Sequence, residues 1–390
     1  MKTRKEVDGI RLLFLGLTAI LMICAYMGVG FFDRSGWDIT AEGSAYYLNT
    51  HGDAMTGWQE IDGKEYYFSP ANNGAMATGW LELAGEKYFL DAEGQKSVGW
   101  LNFEDKLFYF NEAGCMMTGW VETADGKYYL DADGTAFSGW LCDEGARYYL
   151  ENGVPHTGWL EENTNVYYFG ADGELHIGWL EWDGDRYYFR EDGAMVVGEA
   201  EIDGVKRYFT SQGKLFVLVN RWNPVPEDYI VTFKEIDGFK MAEESCEPLA
   251  ALIAACNEAG YPCKIRNGYR SFNFQTTVFN RKVDRLMAEG FSRAAAELET
   301  SYSIAIPGTS EHQLGLAVDL TCGQSAYEWL RQHSWEYGFI MRYPFGKTAV
   351  TGIYYEPWHY RYVGLDLAKE LFEMDACVEE YFAHFTEENA

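Results

Sequence analysis

The chain has 390 residues, room for two or three domains and a sizeable core, and it carries an unusual load of 13 Trp and 28 Tyr. Its formal net charge is −29, and the stretch from Asp33 to Val217 alone holds 33 acidic against 12 basic residues. Such a surface repels nucleic acid and anionic lipid and favours cationic ligands, so nucleic acid is not expected as a partner.

Residues 1–11 form a short tail with Lys2, Arg4, Lys5 and Arg11, and Leu12 to Phe32 is then uncharged. As a helix, residues 12–32 would just cross a hydrocarbon core of about 30 Å. The basic flank places the N-terminus in the cytoplasm and the rest of the chain outside. The expectation is a transmembrane helix that anchors the chain in the membrane. A cleaved signal peptide is the alternative, with a weak small-x-small site at Gly28-Val29-Gly30. Cysteines are scattered without framework spacing, and Cys256 with Cys263 is the one pairing they offer.

From residue 35 to 216 the chain repeats with a period of about 20 residues, punctuated by Gly-Trp at Trp37, Trp58, Trp80, Trp100, Trp120, Trp140, Trp159 and Trp179. A ninth copy has Glu199 in place of Trp and is expected to end the array. In a unit such as TGWQEIDGKEYYF, a strand around Trp58 meets a turn at Asp62-Gly63, and a second strand runs through Tyr66-Tyr67-Phe68. Asp-Gly between β-formers is a strong hairpin signal, and a lone hairpin is marginal in water, so stacking must supply the core.

This all-β hairpin-repeat solenoid resembles the choline-binding and glucan-binding cell-wall repeats of Gram-positive surface proteins. The resemblance implies aromatic cages shared by neighbouring copies. One would use Trp58, Tyr66 and Tyr88, and the next Trp80, Tyr88 and Phe108. Further cages would use Trp120, Tyr128 and Tyr148, and Trp159, Tyr167 and Tyr187. Each aromatic face offers a quaternary ammonium about 0.5–2 kcal/mol, in acidic surroundings that concentrate cations. Relatives of this kind also stack on sugar rings. Choline-decorated teichoic acid, a wall polysaccharide such as glucan, and a spacer without ligand all stay open.

Residues 218–388 have another texture. Helical periodicity runs from Glu244 to Gly260, CKIRNGYRS makes a strand and turn, and helices are expected at Phe272 to Gly290 and Ser292 to Thr300. Gly315 to Thr321 reads as strand, Ser325 to Tyr337 as helix, GIYYEPWHYRYVG as strand, and a last helix starts near Leu365. This irregular alternation, with no nucleotide-binding glycine motif, indicates an α+β domain.

Within it, SEHQLGLAVDL places Asp319 inside an apolar run, where an unpaired carboxylate is costly. A metal would compensate it. Zinc accepts imidazole and carboxylate ligands, usually three from the protein where an open position remains, and His312, Asp319 and His359 form such a set. Glu356 lies three residues before His359, and the intervening Pro357 can turn both toward one point. Glu356 is then placed to take a proton from water. The spacing equally fits Asp319 as a turn cap and the histidines as ordinary polar residues. Glu311 is a further carboxylate that could join the site, but it is expected to be solvated.

SEHQLGLAVD and EPWHYRYVG resemble the SxHxxGxAxD and ExxH elements of VanY-type D-alanyl-D-alanine carboxypeptidases. GYRSFNFQ, YGFIMRYP and LVNRWNPVPEDY match further motifs of that family in the same order. The resemblance implies zinc held by His312, Asp319 and His359, with Glu356 as catalytic base. Arg270 would bind the substrate carboxylate or the oxyanion, and Ser310, Gln275 and Tyr269 would contact substrate. Trp358 and Tyr360 would shape the pocket. The implied activity is removal of the terminal D-alanine from peptidoglycan stem peptides, on the outer face of a Gram-positive cell. L,D-carboxypeptidase action on tetrapeptide stems, or a wall adhesin with an incidental peptidase domain, are the alternatives.

Overall fold

The computed structural model describes residues 34–227 and 229–388. Residues 12–32, expected as a membrane helix, lie outside the described residues; among those described, no helix is long and apolar enough to cross a membrane.

Nine antiparallel hairpins follow one another from Gly36 to Phe209. In the second, Gly57–Ile61 pairs with Lys64–Ser69 across Asp62 and Gly63, whose φ values of 52° and 74° are the left-handed pair that a tight hairpin turn requires. From the second hairpin on, the residue opposite the hairpin's first Gly, as in Phe68, Leu90, Phe110 and Leu130, is fully buried. Stacked copies therefore bury one residue per turn that a lone hairpin would leave wet.

Register decides which rings meet. Trp58 lies opposite Tyr67, so these two share a face, while Tyr66 pairs with Gln59 on the other. Trp58 accordingly packs at 5.2 Å on Tyr67 and at 5.1 Å on Tyr88 of the next hairpin. Tyr66 instead meets the preceding Trp37 at 5.1 Å. The expected cages are thus corrected by one residue in their own-hairpin member. Trp80 meets Phe89 and Phe108, with Tyr88 facing away toward Trp58. Trp120 meets Tyr129 and Tyr148, while Tyr128 meets Trp100. Trp159 meets Tyr168 and Tyr187, Tyr167 being paired across the hairpin with Leu160.

The described chain forms two compact units: the hairpins up to residue 157 with 171–174, and residues 158–170 with everything from 175 onward. The last hairpins therefore belong with the C-terminal domain. The ninth, which lacks its Trp, packs Tyr208 at 5.1 Å on Phe382, and the backbone N–H of Ser211 donates to the Tyr381 hydroxyl.

That domain contains hairpin β1 (Phe233–Ile236) and β2 (Phe239–Ala242), then α1 (Glu243–Glu258), β3 (Cys263–Asn267), α2 (Phe272–Ala288) and α3 (Arg293–Ser301). After these come β4 (Ala317–Cys322), α4 (Gln324–His333), β5 (Phe339–Met341), β6 (His359–Tyr362), α5 (Leu365–Glu373) and α6 (Val378–Glu388). Ser271 and Ser292 cap α2 and α3 by accepting from Phe274 and Ala295 N–H. The four-stranded antiparallel sheet has the order β3-β4-β6-β5. Val318, Leu320 and Tyr360 enter the core with Leu249, Leu252 and Cys256 of α1. Alternation then turns Asp319, His359 and Arg361 to the other face. Strand β6 is shorter than the expected GIYYEPWHYRYVG, because Pro357 and Trp358 form a turn ahead of it. The seven described cysteines are free thiols, so Cys256 and Cys263 are not bonded to each other.

Gly315 joins the His312 turn to β4 at φ 75°, and a Cβ there would lie 2.9 Å from the Ala242 nitrogen and 2.9 Å from the Phe233 ring. Gly315→Ala is expected to destabilise the C-terminal domain by about 1–3 kcal/mol or more. Gly323, with open space for a Cβ but at the N-cap of α4, should lose less on conversion to alanine, well under about 1 kcal/mol. Denaturant midpoints of the two variants test the contrast.

Candidate metal centre and active site

Two imidazoles and a carboxylate converge where β4 and β6 run side by side. Asp319 and His359 are register partners across these strands, and His312 enters from a 3₁₀ turn, Glu311–Leu314, just before β4. All three are buried, and one ligand atom from each lies within 4.8 Å of the others. Asp319 Oδ1 sits 3.1 Å from His359 Nδ1 and 3.4 Å from His312 Nε2. Its Oδ2 is occupied on the opposite side, accepting from Asn267 Nδ2 at 2.8 Å and Arg270 Nη2 at 2.7 Å. One oxygen is thus held by the protein and the other presented to the histidines.

The tautomer of His312 follows from its partner. Nδ1 lies 2.8 Å from the Gly268 carbonyl, which can only accept, so Nδ1 carries the proton and Nε2 keeps its lone pair. Burial pushes the His312 pKa down and keeps the ring neutral. His359 differs: burial works against its charge, yet the Asp319 and Glu311 carboxylates push it up to about 9. The Asp319 carboxyl itself stays well below its usual range, since burial, which raises it, is outweighed by His312 and His359. A cradle that so favours positive charge, with two ring nitrogens and a carboxylate oxygen around it, fits a divalent zinc-type ion.

Glu356 reaches the same point by a turn. His359 N–H donates to the Glu356 carbonyl at 3.1 Å across Pro357-Trp358, which brings Glu356 Oε2 to 3.9 Å from His359 Nδ1. Burial pushes the Glu356 pKa up to about 7, with His359 opposing and Asp319 adding to the shift. A carboxyl poised near neutrality can both take and release a proton. Glu356, the three clustered residues, Arg270, Gln275, Ser310 and Trp358 line one cavity of about 190 Å³. Gln275 is fully buried; its Nε2 donates to the Ala305 carbonyl at 2.7 Å, and its Oε1 has no partner.

Other expected site residues stand elsewhere. Tyr269 does not line the cavity but packs its ring at 4.3 Å on Phe233, because Arg270 and not its neighbour points inward. Tyr360 lies in the hydrophobic core, on the opposite face of β6 from His359. Arg270 lines the cavity with its Nη2 bonded to Asp319, so it braces that carboxylate and is not simply held ready for substrate.

Glu311, expected in solvent, is 1% exposed. Its Oε1 accepts from Arg342 Nε at 2.8 Å and lies 3.4 Å from Arg361 Nη1, while Oε2 faces His359 Nε2 at 3.9 Å. Arg342, fully buried, also bonds both carboxylate oxygens of Glu379 on α6, at 2.8 and 2.6 Å. No local sequence signal marks this chain of charges, since Glu311, Arg342 and Glu379 lie on three separate segments. Asn267, in CKIRNGYRS, carries no such signal either, because its bond to Asp319 spans two strands.

Comparison with known proteins now identifies the class. Residues 238–365 match the family model for VanY, D-alanyl-D-alanine carboxypeptidase. Residues 55–99 match a choline-binding repeat model, and residues 118–136, 157–175 and 177–195 match a cell-wall-binding repeat model. The chain thus carries a VanY-type D-alanyl-D-alanine carboxypeptidase domain over residues 238–365, together with choline-binding-type repeats.

A D-alanyl-D-alanine carboxypeptidase of Enterococcus faecalis is 40% identical over 172 residues, which cover 42% of this chain and 64% of that protein. The zinc complex of a mutant vancomycin-resistance D,D-pentapeptidase VanY, from a VanB-type cassette, is 39% identical. It covers 42% of this chain and 97% of its own, with a TM-score of 0.41. Choline binding protein F of Streptococcus pneumoniae is 30% identical, covering 47% of this chain and 64% of its own, with a TM-score of 0.39. The chain thus spans just under two thirds of the Enterococcus faecalis relative's length.

The charge chain makes a pH-dependent contribution whose sign is set by Glu311. Burial raises its pKa, but Arg342 and Arg361 outweigh that and hold it at about 2, below its ordinary 4.5. A depressed carboxyl stabilises the fold above pH 4.5, and that contribution is lost as pH falls toward 2. Glu311→Gln is expected to be less stable than wild type by about 3 kcal/mol at pH 7 and to converge with it near pH 2. Urea midpoints across that range measure the difference.

Proposed function

We propose that the chain is a wall-attached zinc carboxypeptidase that removes the C-terminal D-alanine from peptidoglycan stem peptides. The observation that carries this reading is the meeting of His312, Asp319 and His359 in one small cavity with Glu356. Zinc would be held by His312 Nε2, Asp319 Oδ1 and His359 Nδ1, and when bound it supplies Lewis-acid polarisation of a carbonyl and of water.

The chain's own residues do the rest. Glu356 takes a proton from the attacking water and passes it to the leaving amine, a task suited to its pKa of about 7. Arg270 keeps Asp319 oriented and places positive charge on the cavity wall, which favours a substrate with a free carboxylate. Gln275 Oε1 accepts from a peptide N–H, and the Ser310 hydroxyl supplies a second neutral hydrogen bond. A cavity of about 190 Å³ admits small terminal residues and excludes bulky ones.

The repeats hold the enzyme on choline-decorated teichoic acid and so raise its local concentration near substrate. Paired Trp and Tyr faces in an acidic array support a quaternary ammonium over a neutral sugar. Residues 12–32 would anchor the chain in the membrane with the repeats and the peptidase outside.

Purified protein is expected to contain about one zinc per chain by metal analysis. Glu356→Gln should keep that zinc and lose about 10²- to 10⁴-fold in activity. Incubation with pentapeptide and tetrapeptide stems, read by mass, should show loss of D-alanine from the pentapeptide. Trimming of the tetrapeptide alone would make the enzyme an L,D-carboxypeptidase, and a zinc-free protein inert on both would sink the enzymatic reading. For the repeats, free choline should elute the chain from a quaternary-amine resin. Retention on glucan with indifference to choline would refute the choline ligand.

A further inference from the structure

The aromatic sites of the first unit are not chemically equal. We propose that the sites at Trp58 and Trp120 are filled by the chain's own lysines, and that quaternary-ammonium ligands bind at Trp80 and Trp100 instead. The proposal rests on the reading of the repeats as binders of quaternary ammonium.

The first filled site arises from one position in the repeat. The backbone N–H of Lys96 donates to the Glu65 carbonyl at 2.9 Å, that of Met116 to Lys87 at 2.8 Å, and that of Ala136 to Leu107 at 2.8 Å. These three residues therefore occupy the same slot beside Trp58, Trp80 and Trp100 in turn. Methionine is an apolar, polarisable wall, and alanine leaves the slot nearly empty. Lys96 instead sets its ammonium 5.2 Å from the centre of the Trp58 ring, with its side chain only 8% exposed and ion-paired to Glu65. The ring face that would attract a ligand cation already faces one.

The second arises from the opposite edge of the cage. Lys127 lies on the second strand of its hairpin, with Nζ 4.0 Å from the centre of Trp120 and 5.6 Å from that of Tyr148. Those two rings are 4.9 Å apart, so the ammonium lies against both walls of the would-be cage. The matching position is Leu107 at Trp100, and at Trp80 it is Lys87. Among the described residues no lysine or arginine lies over Trp80 or Trp100. Trp80 keeps Phe89 and Phe108 at 5.3 and 5.0 Å, and Trp100 keeps Tyr109 and Tyr128 at 4.8 and 4.6 Å. A ligand entering a filled site would bring two like charges to within about 5 Å, weakening affinity on the order of 10- to 100-fold.

The test uses the full chain and choline itself, with bound choline per chain measured by equilibrium dialysis. Lys96→Met and Lys127→Leu install the residues that neighbouring copies carry in the same slots, so the hairpins keep their packing. Each is expected to add one choline equivalent per chain at concentrations that saturate the wild type, and the double variant two. If the wild type binds choline and both variants bind the same number with the same affinity, the assignment of filled sites is overturned while the reading of the repeats survives. If neither the wild type nor the double variant binds choline, both fall together.

Discussion

Asp319 carries a negative charge on a central strand whose flanking residues, Val318 and Leu320, are fully buried. That charge organises the C-terminal domain. Asn267 and Arg270 bind one of its oxygens and so tie β3 and the loop after it to β4. The other oxygen faces two imidazoles that come from either side, one from the turn before β4 and one from β6. A single buried carboxylate therefore links four separate segments, and it is tolerated because each lone pair points at a donor or at the place where a cation fits.

Around this centre runs a second layer of buried charge. Glu311 stands between His359 and two arginines, and Arg342 passes the contact on to Glu379 in the last helix. The same helix packs Phe382 and Tyr381 against the ninth hairpin. Within this compact unit, the end of the repeat array and the candidate metal centre are thus joined by a few hydrogen-bonded steps. Buried ion pairs add little net stability, but breaking one leaves an uncompensated charge, so such a chain holds its members to one geometry.

The repeats follow a different economy. From the second hairpin to the eighth, each buries one residue completely and leaves its Trp on a shared face, so stacking and aromatic exposure come from the same alternation. That arrangement lets a one-residue change alter a site without altering the fold. Lys96 and Met116 hold the same backbone bonds yet present opposite chemistry to the rings beside them.

Much of this was legible in the residues alone. Gly-Trp punctuation and Asp-Gly turns define the hairpins, periodicity marks the helices, and a carboxylate in an apolar run points to a compensating cation. These are local properties, written in spacing and side-chain type. What only the tertiary structure decided is which neighbours those residues acquire. A strand presents alternate residues to opposite faces, so the choice between Tyr66 and Tyr67 as the partner of Trp58 depends on register. Arg270 is drawn to Asp319, Tyr269 to Phe233, and Glu311 to two arginines from β6 and the loop after β5, by contacts between segments distant in sequence. Spacing along the chain carries no record of those contacts, because they exist only once the sheet has brought the strands together.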